Sequence, residues 1–175
     1  KENKKILIRN MTKDIERMNI LISDISNYTL TQVEMDEEAF ETFDVIVFLT
    51  DFIKSLPYNN IEIDFKSNNS SAYIAANKNK LAQVFYNIFD NSFSYSPSNS
   101  KILINTTIKE KNIIFHIVDQ GSGIPLGFRE KIFERFYTDR LNDKDKHTGL
   151  GLSISKKIIE SCKGSINLIK NDYDN

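Results

Sequence analysis

The sequence predicts an α+β fold, a two-layer α/β sandwich with helices covering one face of a mixed sheet, preceded by one long helix. Three observations predict it. Residues 2–33 hold no Gly or Pro and space their apolar residues as a helix does, whereas later segments interleave helical faces with period-two runs. All six glycines lie at or after Gly121, five of them between Gly121 and Gly151, which points to a built loop system in the last third. With 175 residues, 40% of them hydrophobic, the chain can bury one core and carry an appendage, but not two large domains.

The elements follow in order. Ile8, Met11, Ile15, Met18, Ile22 and Ile25 are separated by steps of three and four, a heptad seam. Leu21 and Tyr28 widen that stripe, which suits a helix of a four-helix bundle better than a two-stranded coil or one ordinary amphipathic helix. An acidic connector runs from Glu34 to Glu41. Phe43 to Leu56 reads as a short strand turning into a helix that stops before Pro57. Ile61, Ile63 and Phe65 alternate as a strand should, and Ala72 to Ala76 reads as another. Asn77 can cap a helix with the apolar face Leu81, Val84, Phe85, Ile88 and Phe89, ending near Pro97. Ile102, Ile104, Thr106 and Ile108 alternate, a turn covers Glu110 to Asn112, and Ile113 to Val118 is nearly all apolar, which predicts a hairpin with a buried second strand. Gly149 to Cys162 reads as a helix closed by Gly164, and Ser165 to Ile169 as a last strand.

Charge excludes little but excludes it clearly. Lys+Arg number 23 and Asp+Glu 24, so nothing in the balance selects nucleic acid or an anionic membrane as partner. The single cysteine, Cys162, falls in a helical pattern and fits a reducing compartment. No apolar run approaches the roughly 20 residues a membrane span needs, and no signal sequence opens the chain, so it is expected to be soluble as it stands.

Chemistry-bearing residues cluster in the second half. Asn87 and Asn91 stand four apart on the predicted helix, with Ser94 and Tyr95 one turn on, and amide oxygens are acceptable hard ligands for Mg²⁺. Two amides on a helix are more often simply solvated. Asp119-Gln120-Gly121-Ser122-Gly123-Ile124-Pro125 follows a strand; its carboxylate can accept a hydrogen bond from an exocyclic amine, and its glycines let backbone close around a ring. An ordinary strand-to-loop turn would use the same residues. His147-Thr148-Gly149-Leu150-Gly151 leads straight into a helix, aiming backbone N–H groups and the positive dipole end where a phosphate would sit. It matches neither the dinucleotide fingerprint nor the P-loop. Between these lie the aromatic string Ile132 to Tyr137 and a charged stretch, Thr138 to Lys146, which reads as a lid or as a solvated loop.

Taken in order, Asn-x-x-x-Asn on a helix, Asp-x-Gly-x-Gly at a strand end, Phe-x-x-Phe, and Gly-x-Gly opening a helix resemble the N, G1, F and G2 boxes of histidine-kinase ATPase domains. The resemblance covers about Phe43 to Ile169 and implies the Bergerat fold of gyrase, Hsp90, histidine kinase and MutL ATPases. It implies that 41–175 is an ATP-binding catalytic domain, and 1–40 part of the second helix of a dimerisation domain. The string Phe133 to Arg140 further resembles envelope-sensor kinases of alphaproteobacteria.

Roles follow from that resemblance. Asn91, helped by Asn87, would hold Mg²⁺; Tyr95 would lie near the adenine and Asp119 would take its amine. Gly121, Gly123 and Ile124 would shape the pocket, and Thr148, Gly149, Leu150, Gly151 and Arg140 would face the phosphates of ATP. Partners would be a second copy through the first helix and a response-regulator receiver domain, in the cytoplasmic portion of an inner-membrane sensor. Ser94 stands where the family often has a basic residue, which supports an alternative, a degenerate nucleotide-binding or dimerisation module. Asn87 stands where hydrolytic relatives carry a glutamate, and an amide cannot take a proton from water, so phosphoryl transfer is favoured over hydrolysis. The only histidines are His116, expected in the core, and His147, beside the lid; neither resembles the family's phosphoacceptor.

Overall fold

The computed structural model describes Lys5, Leu7, Ile8, Met11, Thr12, Ile15, Met18 and Ile22, together with residues 40–56, 62–138 and 148–169. The chain divides into two compact units, Ala39–Pro125, and Lys1–Glu38 with Leu126–Asn175.

In the first unit, β1 (Glu41–Asp44) runs directly into α1 (Val45–Ser55). Asp44 makes the switch: its Oδ1 accepts the Ile46 N–H at 2.9 Å, capping the helix, and the Ala72 N–H at 3.1 Å. The Val45 N–H in turn donates to the Ala72 carbonyl at 2.8 Å. One carboxylate therefore holds the start of α1 to the chain leading into β3 (Tyr73–Ala76), which pairs antiparallel with β1. Asn77 caps α2 (Lys78–Tyr95) as expected, its side chain accepting from the Lys80 N–H at 2.9 Å.

The larger sheet is mixed. β2 (Glu62–Ser67) lies parallel to β4 (Lys101–Lys109), and β4 antiparallel to β5 (Asn112–Val118). Register puts Phe65, Ile104 and Ile117 in one row and Ser67, Thr106 and Phe115 in the next, so these side chains share one face. α1 and α2 cover that face with aromatics: Phe85 meets Phe115 edge-on at 5.4 Å, Phe52 meets Phe89 at 6.2 Å, and Phe43 meets Phe48 at 5.3 Å. The opposite face is mixed: it carries Leu103, Ile114 and Val118 beside charged residues, with Glu62 and Lys101 paired across β2 and β4 at 2.9 Å. Helices on one face of a mixed sheet give the predicted two-layer α+β arrangement.

Two expectations of the hairpin region are corrected. Ile102, Ile104 and Thr106 of β4 are buried, whereas no residue of β5 is fully buried. Position in the sheet explains this, because among the described residues β4 has a strand on both sides and β5 on one. β1 and β3 form a separate two-stranded ladder rather than joining the larger sheet. His116 pairs with Asn105, one residue out of phase with Phe115, and so sits half-buried on the face away from the aromatic core rather than in it.

In the second unit, Leu126–Phe128 and Lys131–Phe133 form short 3-10 turns, and α3 spans Gly151–Ser161. α3 ends in a Schellman motif: the Gly164 N–H bonds the Ile159 carbonyl at 2.9 Å and the Lys163 N–H bonds the Glu160 carbonyl at 3.0 Å. The left-handed residue there is Lys163, φ +59°, not the glycine. Gly164 is needed for closeness instead, since a Cβ would lie 3.0 Å from Ile159 Cγ2 and 3.2 Å from its carbonyl oxygen. Residues 164–169 form no strand, correcting that expectation. Leu168 and Ile169 are exposed, so alternation alone, with neither ladder nor buried face, does not make a strand.

The eight described positions from Lys5 to Ile22 include helical backbone at Lys5, Leu7, Ile8, Met11, Thr12, Ile15, Met18 and Ile22, and the Thr12 hydroxyl donates to the Ile8 carbonyl at 3.0 Å, one turn back. The rest of the expected dimerisation helix lies outside the described residues.

Candidate functional site

α2 carries the first group of candidate residues because its two sides differ. Leu81, Val84, Phe85 and Phe89 are buried, while Asn87 and Asn91 lie half-buried at the edge of that face. The Asn91 Nδ2 donates to the Asn87 carbonyl at 2.8 Å. That bond holds the amide by its nitrogen, and among the described residues its Oδ1 accepts no hydrogen bond.

Where β5 ends, Asp119 folds back on its own loop. Its Oδ1 accepts the Gly121 N–H at 2.8 Å, and its Oδ2 accepts the hydroxyl of Ser92 on α2 at 3.4 Å. A Cβ on Gly121 would meet Asp119 Oδ1 at 2.9 Å and the Tyr95 carbonyl oxygen at 3.1 Å, so the loop fits tightly against the end of α2 and a side chain there would press on both. Gly123 turns through φ +74°. Gln120 pins the loop from the other side, its Oε1 accepting the Lys101 N–H at 2.8 Å. The Asp119 carboxylate is exposed, with two acceptor positions occupied and the rest open to a ligand's donor. Tyr95 is also exposed, and Ile124 half-buried. Asn87, Asn91, Tyr95, Asp119, Gly121, Gly123 and Ile124 all belong to the first unit.

Thr148, Gly149, Leu150 and Gly151 belong to the second. Gly149, at φ +72°, lies so close to the preceding aromatic segment that a Cβ would fall 2.5 Å from the Tyr137 carbonyl oxygen and 2.7 Å from the Phe136 carbonyl carbon. Phe136 is itself left-handed at φ +61°. The ring of Phe128 stacks near Tyr137 at 6.0 Å, and Lys156 of α3 lies over the Phe133 ring at 5.8 Å. Leu150, 2% exposed, occupies the N-cap position of α3, where it offers no side-chain cap, and no acidic residue enters the first turn. The first turn of the helix therefore supplies no anion of its own to its dipole. Arg140 lies outside the described residues, as does His147.

Sequence reasoning missed two residues, Ser92 and Gln120. Ser92 was detectable, since a small polar residue interrupts an apolar face at the helical step from Phe85, Ile88 and Phe89. Gln120 carried no signal, because its role depends on a register that brings Lys101 opposite it.

Comparison with known proteins places the arrangement. Residues 76–173, more than half of the chain, match the family model described as histidine kinase-, DNA gyrase B-, and HSP90-like ATPase. Sensor protein ChvG of Rhizobium meliloti (strain 1021) is 30% identical over 178 residues, 94% of this chain, which spans 31% of that protein's length. The nucleotide-free catalytic domain of histidine kinase ThkA superposes with a TM-score of 0.61 at 28% identity, covering 70% of this chain and 81% of that one. ThkA in complex with the response regulator protein TrrA gives 0.62 at 25% identity, covering 88% and 45%. The ordered motifs, the two-layer fold and these matches together make the chain a member of the histidine kinase-, DNA gyrase B- and HSP90-like ATPase family.

Proposed function

We propose that this chain is the ATP-binding catalytic part of a two-component sensor histidine kinase, presenting the γ-phosphoryl group of ATP to a histidine on a helix not present in it. The observation that carries this reading is Asp119, a carboxylate held on one oxygen by the Gly121 N–H and on the other by Ser92, its remaining lone pairs exposed. An acceptor-only group so fixed selects a ligand edge that donates, as the adenine amine does.

Asn91 and Asn87 are proposed to hold Mg²⁺. The Asn91 amide fits it, since its Nδ2 is held by the Asn87 carbonyl and, among the described residues, its Oδ1 accepts no hydrogen bond. Among the described residues no three His, Cys, Asp or Glu side chains gather to form a protein cage, which suits an ion that takes most of its shell from water and phosphates. When bound, that ion neutralises charge on the phosphate oxygens. Gly149, Leu150, Gly151 and Thr148 are proposed to turn backbone N–H groups toward phosphate, and Arg140 to contact it. Phosphoryl transfer depends on positioning and charge stabilisation, so none of these residues needs to move a proton. Asn87, an amide where a hydrolytic relative carries glutamate, supports transfer over hydrolysis.

The chain is further proposed to pair with a second copy through its first helix, to pass phosphate to a receiver domain, and to form the cytoplasmic part of an inner-membrane sensor. Ile8, Met11, Ile15, Met18 and Ile22, at heptad spacing and between 54% and 62% exposed, support the pairing. The complex of ThkA with TrrA supports the receiver partner. No helix among the described residues is long and apolar enough to cross a membrane.

Asp119→Asn tests the reading. The substitution replaces an acceptor with a partial donor and should weaken adenine nucleotides at least tenfold, with little effect on inorganic triphosphate. Equal weakening of both would contradict the adenine role.

A further inference from the structure

We infer that Ser92 is the positioning residue that sets amine selectivity at Asp119, an inference that rests on the adenine reading of that carboxylate. Ser92 is 4% exposed and stands on the buried side of α2, where a hydroxyl without a partner is costly. Its hydroxyl donates to Asp119 Oδ2 at 3.4 Å.

Burial alone does not pair a serine in this part of the molecule. The hydroxyls of Ser96, just past the end of the same helix, and of Ser100, 6% exposed, are buried with no partner among the described residues. Ser92 is different in that its hydroxyl reaches across from α2 to a residue 27 positions away.

The geometry gives the bond a purpose. Asp119 Oδ1 is already fixed by the Gly121 N–H, a contact within the same loop that leaves the carboxylate free to rotate about the bond joining it to Cβ. A donor to Oδ2 from a different element, long at 3.4 Å, restricts that freedom and biases the open lone pairs toward one direction. Ser92 touches no ligand in this scheme. It acts through Asp119, and its effect should be confined to ligands that present a donor to that carboxylate.

Two triphosphates separate this effect from general packing: a non-hydrolysable ATP analogue and the corresponding purine nucleotide lacking the exocyclic amine. Each is titrated calorimetrically, with Mg²⁺, into the wild-type chain and into S92A, D119N and the double variant. Ser92→Ala suits the helix and is expected to fold, which circular dichroism checks. The wild type should prefer the amine, and S92A should reduce that preference about three- to tenfold, the effect of one longish hydrogen bond to a charged group. Adding S92A to D119N should change the preference no further. An unchanged preference in S92A, equal loss for both nucleotides, or additive loss in the double variant would each overturn the role of Ser92. A wild type that binds both nucleotides alike, or neither, would overturn the adenine reading itself and the serine's role with it.

Discussion

Asp119, Gly149 and Lys163 each hold the backbone where side-chain chemistry alone would not. The Asp119 loop closes tightly on the Tyr95 carbonyl through a glycine whose Cβ would lie 3.1 Å from that oxygen. At Gly149 the constraint is double, a left-handed φ of +72° and a Cβ position 2.5 Å from the Tyr137 oxygen. Gly149→Ala should therefore destabilise the chain by about 1–3 kcal/mol, read from the denaturant midpoint. An unchanged midpoint would mean the 136–137 segment moves aside freely. At Lys163 the logic reverses. A lysine in the left-handed region costs about 1–2 kcal/mol, while glycine there loses about 0.4–1 kcal/mol through its freer unfolded chain. Lys163→Gly should stabilise by roughly 0.5–1 kcal/mol, visible as a higher Tm. The glycine-bearing motifs were legible because glycine marks backbone that other residues resist. Lys163 was not, since a lysine carries no sign of positive φ and the glycine after it drew the cap one residue too far.

At the scale of elements, what decided each outcome was the number of neighbours. Helix α2 was legible from end to end because its cap, apolar stripe and following Pro97 all agree. β4 and β5 were legible as a hairpin, but which of them is buried depends on β2 lying parallel beside β4, a long-range pairing that no local pattern encodes. The strand expected at 165–169 does not form, and its side chains are mostly exposed. The parallel pairing also sets an ion pair whose pH dependence can be measured. Hydrogen bonding to Glu62, then its charge, raises the Lys101 pKa above its ordinary 10.5. A raised lysine contributes stability that is present below the unfolded pKa and lost as pH rises through the folded one. The wild type should thus lose stability above about pH 10.5, and Glu62→Gln should flatten that part of the profile. Lys101 is fully exposed, so the effect is expected to shrink further in high salt. A profile unaltered by the substitution would mean that the pair contributes nothing to stability.

Across the whole molecule, the candidate residues are shared by two compact units, with the Asn87–Asn91 pair and the Asp119 loop in one and the Gly149–Gly151 turn in the other. The order of the motifs is legible along the chain itself, and family membership follows from the same order. The support around them is not: Ser92 beneath Asp119, Gln120 on Lys101, and Tyr137 against Gly149 all come from folding separate segments together. Whether this support serves a Mg²⁺-dependent adenine nucleotide is decided by calorimetric titration of the chain with a non-hydrolysable ATP analogue, with and without Mg²⁺, beside Asn91→Ala. Micromolar to sub-millimolar binding is expected, requiring Mg²⁺ and weakened about tenfold or more by the substitution, a loss of at least about 1.4 kcal/mol. A folded chain that binds no nucleotide, or binds it equally well without Mg²⁺ and without the Asn91 amide, would contradict the nucleotide site proposed for it.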